Sequence, residues 1–379
     1  MKKLCYVTTI ALSARAFLLP VFRYIREHTD WELTVICDED VALAAELPEG
    51  VRYIPVSMKR GVSLGGIAAC MQMAKIFRKE KFDLVQFSTP NAALYASIAA
   101  RLAGVKIRLY HQMGLRYLGF TGLKRWIFKS LEKICCSLAT EIECVSPSNL
   151  ELGIQEGLFP AGKAKLAFYG SSVGVDVERF TAERKEQWRG QVRQELGIDE
   201  QACVFGFAGR ITGDKGINEL LTAFLDMDMP HTRLLMVGVL EEEHTLDAAL
   251  LERAEQTGRL VLHGFVNDIE RYYAAMDVLI LPSYREGFGN IVIEAQAMGI
   301  PVIVADIPGP TDAMQRDVTG LVVPVKDAAA LRKAMEALAS DADRREAMGA
   351  AGLAFVKERF DQTRVIQWIL EERTKQLGE

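Results

Sequence analysis

Glu286 and Glu294 stand with seven residues between them in Ser283-Tyr284-Arg285-Glu286-Gly287-Phe288-Gly289-Asn290-Ile291-Val292-Ile293-Glu294-Ala295. Carboxylates at such positions accept hydrogen bonds from paired hydroxyls, as on a sugar or a ribose. The glycines between them predict a turn from a strand ending at Pro282 into a helix beginning near Asn290, whose first N–H groups can receive an anion. One elongated ligand could then lie across the turn, with a phosphate in the middle and hydroxyl-bearing rings at either end. The plainer reading is that both glutamates are ordinary charges favoured by a helix dipole.

A second loop offers the complementary charge. Phe207-Ala208-Gly209-Arg210-Ile211-Thr212-Gly213-Asp214-Lys215-Gly216 reads as a strand end opening into a helix at Ile217. The Arg210 fork and the Lys215 ammonium could neutralise a diphosphate, which leaves poorly from a low-dielectric site unless its charge is balanced. Surface solvation of two loop cations is the alternative.

Both loops need strands to hold them. Strand-like runs at Leu4–Thr9, Glu32–Cys37, Arg52–Pro55, Leu84–Phe87, Lys106–Tyr110 and Glu141–Val145 alternate with amphipathic segments. The rhythm restarts with Cys203–Gly209, Arg233–Val237, Leu260–His263, Val278–Pro282, Val302–Val304 and Leu321–Val323. Such βαβ repetition predicts an α/β protein with two doubly wound, mostly parallel, Rossmann-like sheets. A chain of 379 residues suits two domains. Small residues in Phe168–Asp176 mark a hinge, which divides the chain into 1–172 and 173–362. The segment 363–379 has apolar residues at helical spacing and either ends the second domain or packs back onto the first. Two such sheets are expected to face one another across a deep cleft that binds ligands at the strands' carboxyl ends. Fold alone leaves epimerases, phosphorylases and binding proteins open.

Other features narrow the classes. The seven cysteines show neither a C-x-x-C pair nor a metal-ligand spacing, so no disulfide framework and no zinc site is expected, as suits a cytosolic protein. The opening Met1-Lys2-Lys3 and apolar run imitate a secretory signal but read better as a first strand and helix. No run of about 18 uncharged apolar residues suggests a spanning helix. Residues 1–175 hold 22 Lys and Arg against 15 Asp and Glu, and the remainder 23 against 35, an asymmetry that suits a basic half meeting an anionic partner or an inconsequential solvated surface.

With these residues in view, the second half resembles the family 4 retaining glycosyltransferases of GT-B fold. The marks are Glu286-x7-Glu294, the Ala208-Gly209-Arg210 to Lys215-Gly216 loop, Gly264-Phe265-Val266, Leu281-Pro282-Ser283, and Gly170-Ser171-Ser172-Val173-Gly174-Val175-Asp176, with Val173 where the family often has Asn. The resemblance implies that Gly209, Arg210 and Lys215 hold a donor diphosphate and that Glu294 holds the ribose. It implies that Glu286 with Phe288, Gly289, Asn290 and Ile291 holds the donor sugar and phosphate, and that Val266 and Asn267 flank the base. Retention at the anomeric carbon is implied, with a donor phosphate oxygen taking the acceptor proton. No metal and no other cofactor is implied, since cations and a helix start can serve.

The first half resembles the capsular and exopolysaccharide branch, through Tyr110-His111-Gln112-Met113-Gly114-Leu115-Arg116-Tyr117 and Thr121–Arg125. His111, expected just after a strand, is the candidate for touching the donor sugar or orienting the acceptor; a structural histidine at a strand end is the alternative. Many relatives have a Gly-Gly loop after the first strand, where this chain has Thr8-Thr9-Ile10-Ala11-Leu12-Ser13-Ala14-Arg15. Ser13 and Arg15 are therefore expected to serve the acceptor. Lys124–Lys133 mixes cations with large apolar residues and reads either as an amphipathic helix on an anionic leaflet or as a core helix with a basic face.

The expectation is a bacterial hexosyl or N-acetylhexosaminyl transferase at the cytoplasmic side of the membrane. It would move sugar from a nucleoside diphosphate donor, a UDP-sugar, to a polyprenyl-diphosphate-linked saccharide in capsule or exopolysaccharide synthesis, with no nucleic-acid partner. A GT-B epimerase, a glycan synthase, or a non-catalytic sugar-nucleotide-binding regulator are the alternatives.

Overall fold

Runs of four to six Val, Ile and Leu-rich residues, bounded by Gly, Pro or Asp, are too short for helices and bury well on both faces. They form the strands of two parallel sheets in a computed structural model that describes residues 1–58, 64–241 and 246–378. Residue 379, the end of the expected closing helix, lies outside the described residues. The chain divides into two compact units, Met1–Val173 with Thr363–Glu379, and Gly174–Gln362. The division falls within the small-residue segment 168–176.

The first unit holds a seven-stranded sheet: β1 (Lys3–Val7), β2 (Glu32–Cys37), β3 (Val51–Pro55), β4 (Leu84–Phe87), β5 (Ile107–Gln112), β6 (Glu141–Cys144) and β7 (Ala164–Leu166). Its order is β3-β2-β1-β4-β5-β6-β7, so the winding reverses between β1 and β4. β7 was not expected. It is three half-buried residues, Ala-Lys-Leu, too short to give a period, and it exists because β6 offers an edge, with Ile142 opposite Ala164 and Cys144 opposite Leu166.

The second unit holds a six-stranded sheet: β8 (Cys203–Ala208), β9 (Thr232–Val237), β10 (Leu260–His263), β11 (Val278–Leu281), β12 (Val302–Ala305) and β13 (Gly320–Val323). The order is β10-β9-β8-β11-β12-β13, with the reversal between β8 and β11. Loops leaving the carboxyl ends of neighbouring strands at such a reversal diverge to opposite faces and leave a crevice, the usual ligand position in open α/β sheets. The loops after β8 and β11 hold Arg210, Lys215 and Glu286, and Glu294 lies in the helix that follows the second of them.

The helix Gln362–Leu377 belongs, from Thr363 onward, to the first unit. Val365, Ile366, Ile369 and Leu377 share one buried cluster with Leu4, Tyr6, Phe22, Trp31 and Val173.

Candidate functional site

Glycine geometry joins the two loops of the second unit. After Gly209 ends β8, residues Gly213–Lys215 make one tight turn, and Gly216 at φ 74° begins the helix Ile217–Leu225. A Cβ on Gly216 would lie 2.1 Å from the Pro282 carbonyl oxygen, so only glycine lets the β8 loop approach the β11 loop this closely. The Tyr284 N–H donates to the Asp214 carbonyl at 3.0 Å. Tyr284 in turn donates its hydroxyl to both Glu219 oxygens at 2.7 and 2.8 Å, which braces the segment just before Glu286.

Across this junction the Lys215 ammonium meets Glu286 Oε1 at 2.5 Å, with both side chains largely buried. Arg210 is half-exposed and pairs with Glu241 at 3.0 Å, while Arg285 stands 3.6 Å from Asp214. Burial works to raise the Asp214 carboxyl, but the Thr212 hydroxyl and the cations Arg210, Lys215 and Arg285 outweigh it and hold it below its ordinary value. Three cations and three partner carboxylates thus gather at one sheet end, each cation paired within the protein.

Gly289, at φ 91°, caps the helix Asn290–Ala297 with no side-chain hydrogen bond of its own. The first turn, with Asn290 and Ile291, thus starts without a side-chain cap, and the Val292 N–H donates to the Gly289 carbonyl at 2.9 Å. Phe288 is buried edge-on against Phe360, their centroids 5.2 Å apart, which anchors the backbone ahead of that turn. The Ser283 hydroxyl is fully buried beside it and has no hydrogen-bond partner among the described residues.

Glu294 lies one turn inside the helix and accepts from the Tyr273 hydroxyl at 2.9 Å. Burial raises its carboxyl above the ordinary value, against Tyr273 and the nearby Arg179, which favour the charged form. Arg179 pairs with Glu270 at 2.5 Å and donates to the Asn267 carbonyl at 2.7 Å, which ties the loop after β10 to this arginine. Tyr273, Arg179 and Glu270 were not singled out from the sequence. Their signal was an Arg in an unremarkable turn and a Glu at the start of the helix Ile269–Ala275, pairing across 91 residues.

In the first unit, His111 lies inside β5 rather than after it. The strand runs two residues further than expected because β6 continues beside it, placing His111 opposite Glu143 and Gln112 opposite Cys144. His111 is 6% exposed, and its Nδ1 is 3.7 Å from Glu143 Oε2, longer than a hydrogen bond. Glu143 and Arg373 are 0% and 1% exposed and form a two-pronged pair at 2.7 and 2.8 Å, with Arg373 also donating to Gln86 at 2.9 Å. Burial alone would raise the Glu143 carboxyl, but Arg373, followed by His111, drives it below its ordinary value. A cavity of about 390 Å³, open mouth included, lies at the reversal of this sheet, lined by Tyr6, Ser13, Gln86, His111, Met113 and Arg373 among others. Ser13 faces that cavity. Arg15 does not: its guanidinium is held by Asp40 at 2.9 Å and Glu46 at 2.6 Å, the cap and the last residue of the short helix Val41–Glu46.

Neither Glu143 nor Arg373 was expected. A signal existed for each: a glutamate between Ile142 and Cys144 in a short strand, and an arginine at the spacing of Ile366, Ile369 and Leu377. Among the described residues, no group of three His, Cys, Asp or Glu could hold a metal ion, and no helix is long and apolar enough to cross a membrane.

The sequence and the fold have known counterparts. The family model described as glycosyl transferases group 1 matches residues 189–354, and that described as glycosyl transferase 4-like matches residues 3–146. The chain is 32% identical over 311 residues to the capsular polysaccharide biosynthesis glycosyltransferase CapM of Staphylococcus aureus, covering 80% of each chain. It is 26% identical over 308 residues to the UDP-Gal:alpha-D-GlcNAc-diphosphoundecaprenol alpha-1,3-galactosyltransferase of Escherichia coli, covering 78% of this chain and 77% of that one. Its fold is similar to that of Anabaena HepE, solved in complex with UDP and glucose, at a TM-score of 0.80 and 20% identity over 99% of this chain and 100% of that one.

Proposed function

Because this chain belongs to the group 1, family 4-like glycosyltransferases and has their two Rossmann-like domains of GT-B fold, we propose that it transfers a hexosyl or N-acetylhexosaminyl group from a UDP-sugar to a lipid-linked saccharide, with retention at the anomeric carbon. The relatives named above act in capsular polysaccharide synthesis or on a diphosphoundecaprenol-linked sugar, which supports an acceptor of polyprenyl diphosphate type.

One observation supports the donor side most directly: the Lys215–Glu286 pair at 2.5 Å, which puts a diphosphate-suited cation and a hydroxyl-suited carboxylate at one point. In this reading Arg210 and Lys215 take the diphosphate with the N–H groups after Gly289, and Glu286 takes hydroxyls of the sugar. Glu294 takes the ribose, and Val266 and Asn267 flank the base. As the glycosidic C–O bond breaks, negative charge grows on the β-phosphate, where Lys215 and Arg210 lower its energy without a metal. A donor phosphate oxygen takes the acceptor proton as the hydroxyl attacks from the same face. His111 and Ser13, which line the cavity of the first unit, serve the acceptor.

Isothermal titration with UDP, followed by donor turnover with a diphosphate-linked acceptor, tests this. UDP is expected to bind without added metal, and UDP release is expected to accompany sugar transfer. Binding with no turnover on any acceptor would instead indicate a regulator, and a change in the free sugar nucleotide an epimerase.

The same reading puts the enzyme at the cytoplasmic face of the membrane. On the helix Gly122–Leu138, Leu123 (72% exposed), Trp126 (67%), Ile127 and Ile134 form one apolar stripe that faces outward. Arg125 and Lys129 are both paired with Glu156 at 2.7 Å, which leaves Lys124 and Lys133, both exposed, to meet anionic headgroups. The protein is expected to float with anionic vesicles and Trp126→Glu to remain in the pellet fraction. Equal flotation of the two, or none of either, would reject the contact.

A further inference from the structure

At the amino ends of β11 and β12, opposite the loops described above, the second unit has a cavity of about 1190 Å³, open mouth included. It lies beside the helices Ala182–Glu195 and Ala342–Arg359, and Lys185, Arg189, Asp277 and Arg345 line it. Residues beyond 175 are acidic in sum, with 23 basic against 35 acidic side chains, yet here cations gather.

The negative charge in the wall is already matched. Asp277 is bound by Arg189 at 2.6 Å, by the buried Arg193 at 2.8 Å and by the Val204 N–H at 2.7 Å. Arg345 donates to the Leu338 and Ala339 carbonyls and enters no ion pair among the described residues. Glu186 and Glu346 are exposed at the rim and enter no ion pair among the described residues. Lys185 is half-buried, and its ammonium has a single carbonyl contact, to Gly299 at 3.5 Å. Burial first, and then Arg189, pushes its amine down to about 8, with Arg193 acting in the same sense and Asp277 and Glu186 opposing.

A partly desolvated ammonium that enters no ion pair among the described residues, in a cavity that two arginines also line, gains most from an anion that brings several acceptor oxygens. Phosphate matches both the forks and the point charge. We infer that this cavity is a second, anion-binding site of the protein, which takes a phosphate-bearing small molecule between Lys185, Arg189 and Arg345. Met298 and Gly299, which end the helix Asn290–Ala297, line it as well, so an occupant touches the far end of the helix that starts at Gly289.

The test uses the full chain and inorganic phosphate. With lysines dimethylated by a carbon-13 label and the Lys185 signal assigned through Lys185→Arg, its titration midpoint is expected near 8 without phosphate. Saturating phosphate should raise that midpoint by about one unit, since a bound anion favours the ammonium. The sign requires phosphate affinity to fall as pH rises through the midpoint. Phosphate should also raise Tm in the wild type and in Lys215→Ala, and not in the doubly substituted Lys185→Gln, Arg345→Gln protein. A Lys185 midpoint that phosphate leaves in place overturns the site, as does a Tm rise that survives in the double variant and vanishes in Lys215→Ala. The labelled wild type answers even where a variant folds poorly.

Discussion

Lys215→Ala is expected to lower kcat by roughly 10²–10³-fold, the loss usual when one group aimed at developing charge is removed. In the proposed reaction negative charge develops on the departing diphosphate, and Lys215 is the largely buried cation of the β8 loop, whereas Arg210 is half-exposed and already near Glu241. The pair with Glu286 sharpens the expectation. A donor must draw the ammonium off the carboxylate, and a sugar phosphate can do so because its own hydroxyls then satisfy Glu286. Alanine leaves that carboxylate without its cation, so the donor KM should worsen as well. Lys215→Arg should recover part of kcat, and Ser13→Ala should cost far less than Lys215→Ala. Steady-state kinetics at saturating donor would decide it; near-wild-type kcat in Lys215→Ala would remove Lys215 from the leaving-group role.

Arg373→Met should be the most destabilising substitution in the first unit. Glu143 is fully buried, and without Arg373 the nearest basic side-chain nitrogens are those of Lys165 at 3.6 Å and His111 at 3.7 Å. Removing one partner of such a pair costs about 3–5 kcal/mol, since the other charge is left unmatched in a low dielectric. For a unit of this size that corresponds to a fall of roughly 10 °C in Tm. Adding Glu143→Gln to Arg373→Met should restore much of the loss, because the uncompensated charge goes with it. The pH dependence has a definite sign. Glu143 titrates lower when folded than when unfolded, so its contribution is complete above the unfolded value, near 4.5, and disappears as pH falls toward the folded value. Chemical denaturation from pH 7 down to pH 3 should therefore show a shallower acid decline in the double variant than in the wild type. Equal stability of Arg373→Met and the wild type would show that the pair adds nothing.

The parts of this molecule that obey a local rule could be read from the residues. Buried strands such as Val278–Leu281 are continuous apolar runs between breakers, and the helix starts at Ile217 and Asn290 follow glycines that take positive φ. The two loops could be named as phosphate-suited singly. That they meet depends on β8 pairing with β11, a register between Phe205 and Val278 that no local pattern encodes. The Glu143–Arg373 pair spans 230 residues, and each member looks in isolation like a solvated charge. The ion pairs of Arg15 were hidden for the same reason: its partners Asp40 and Glu46 come from a different turn of chain. His111 was placed one step off because strand length is set by the neighbouring strand, here β6, and not by the strand's own residues.

The return of the helix Gln362–Leu377 to the first unit also bears on the order in which the protein can be made. Chains emerge from the ribosome amino end first, and domains ordinarily complete themselves in that order. Here Met1–Val173 emerges with Leu4, Tyr6, Phe22 and Trp31 lacking the helix that covers them and with Glu143 lacking its arginine. Gly174–Gln362 is contiguous and can close its own core while the first unit still waits. The unit translated first is thus the one finished last, and its uncovered apolar face must survive synthesis of the whole second unit without finding another partner.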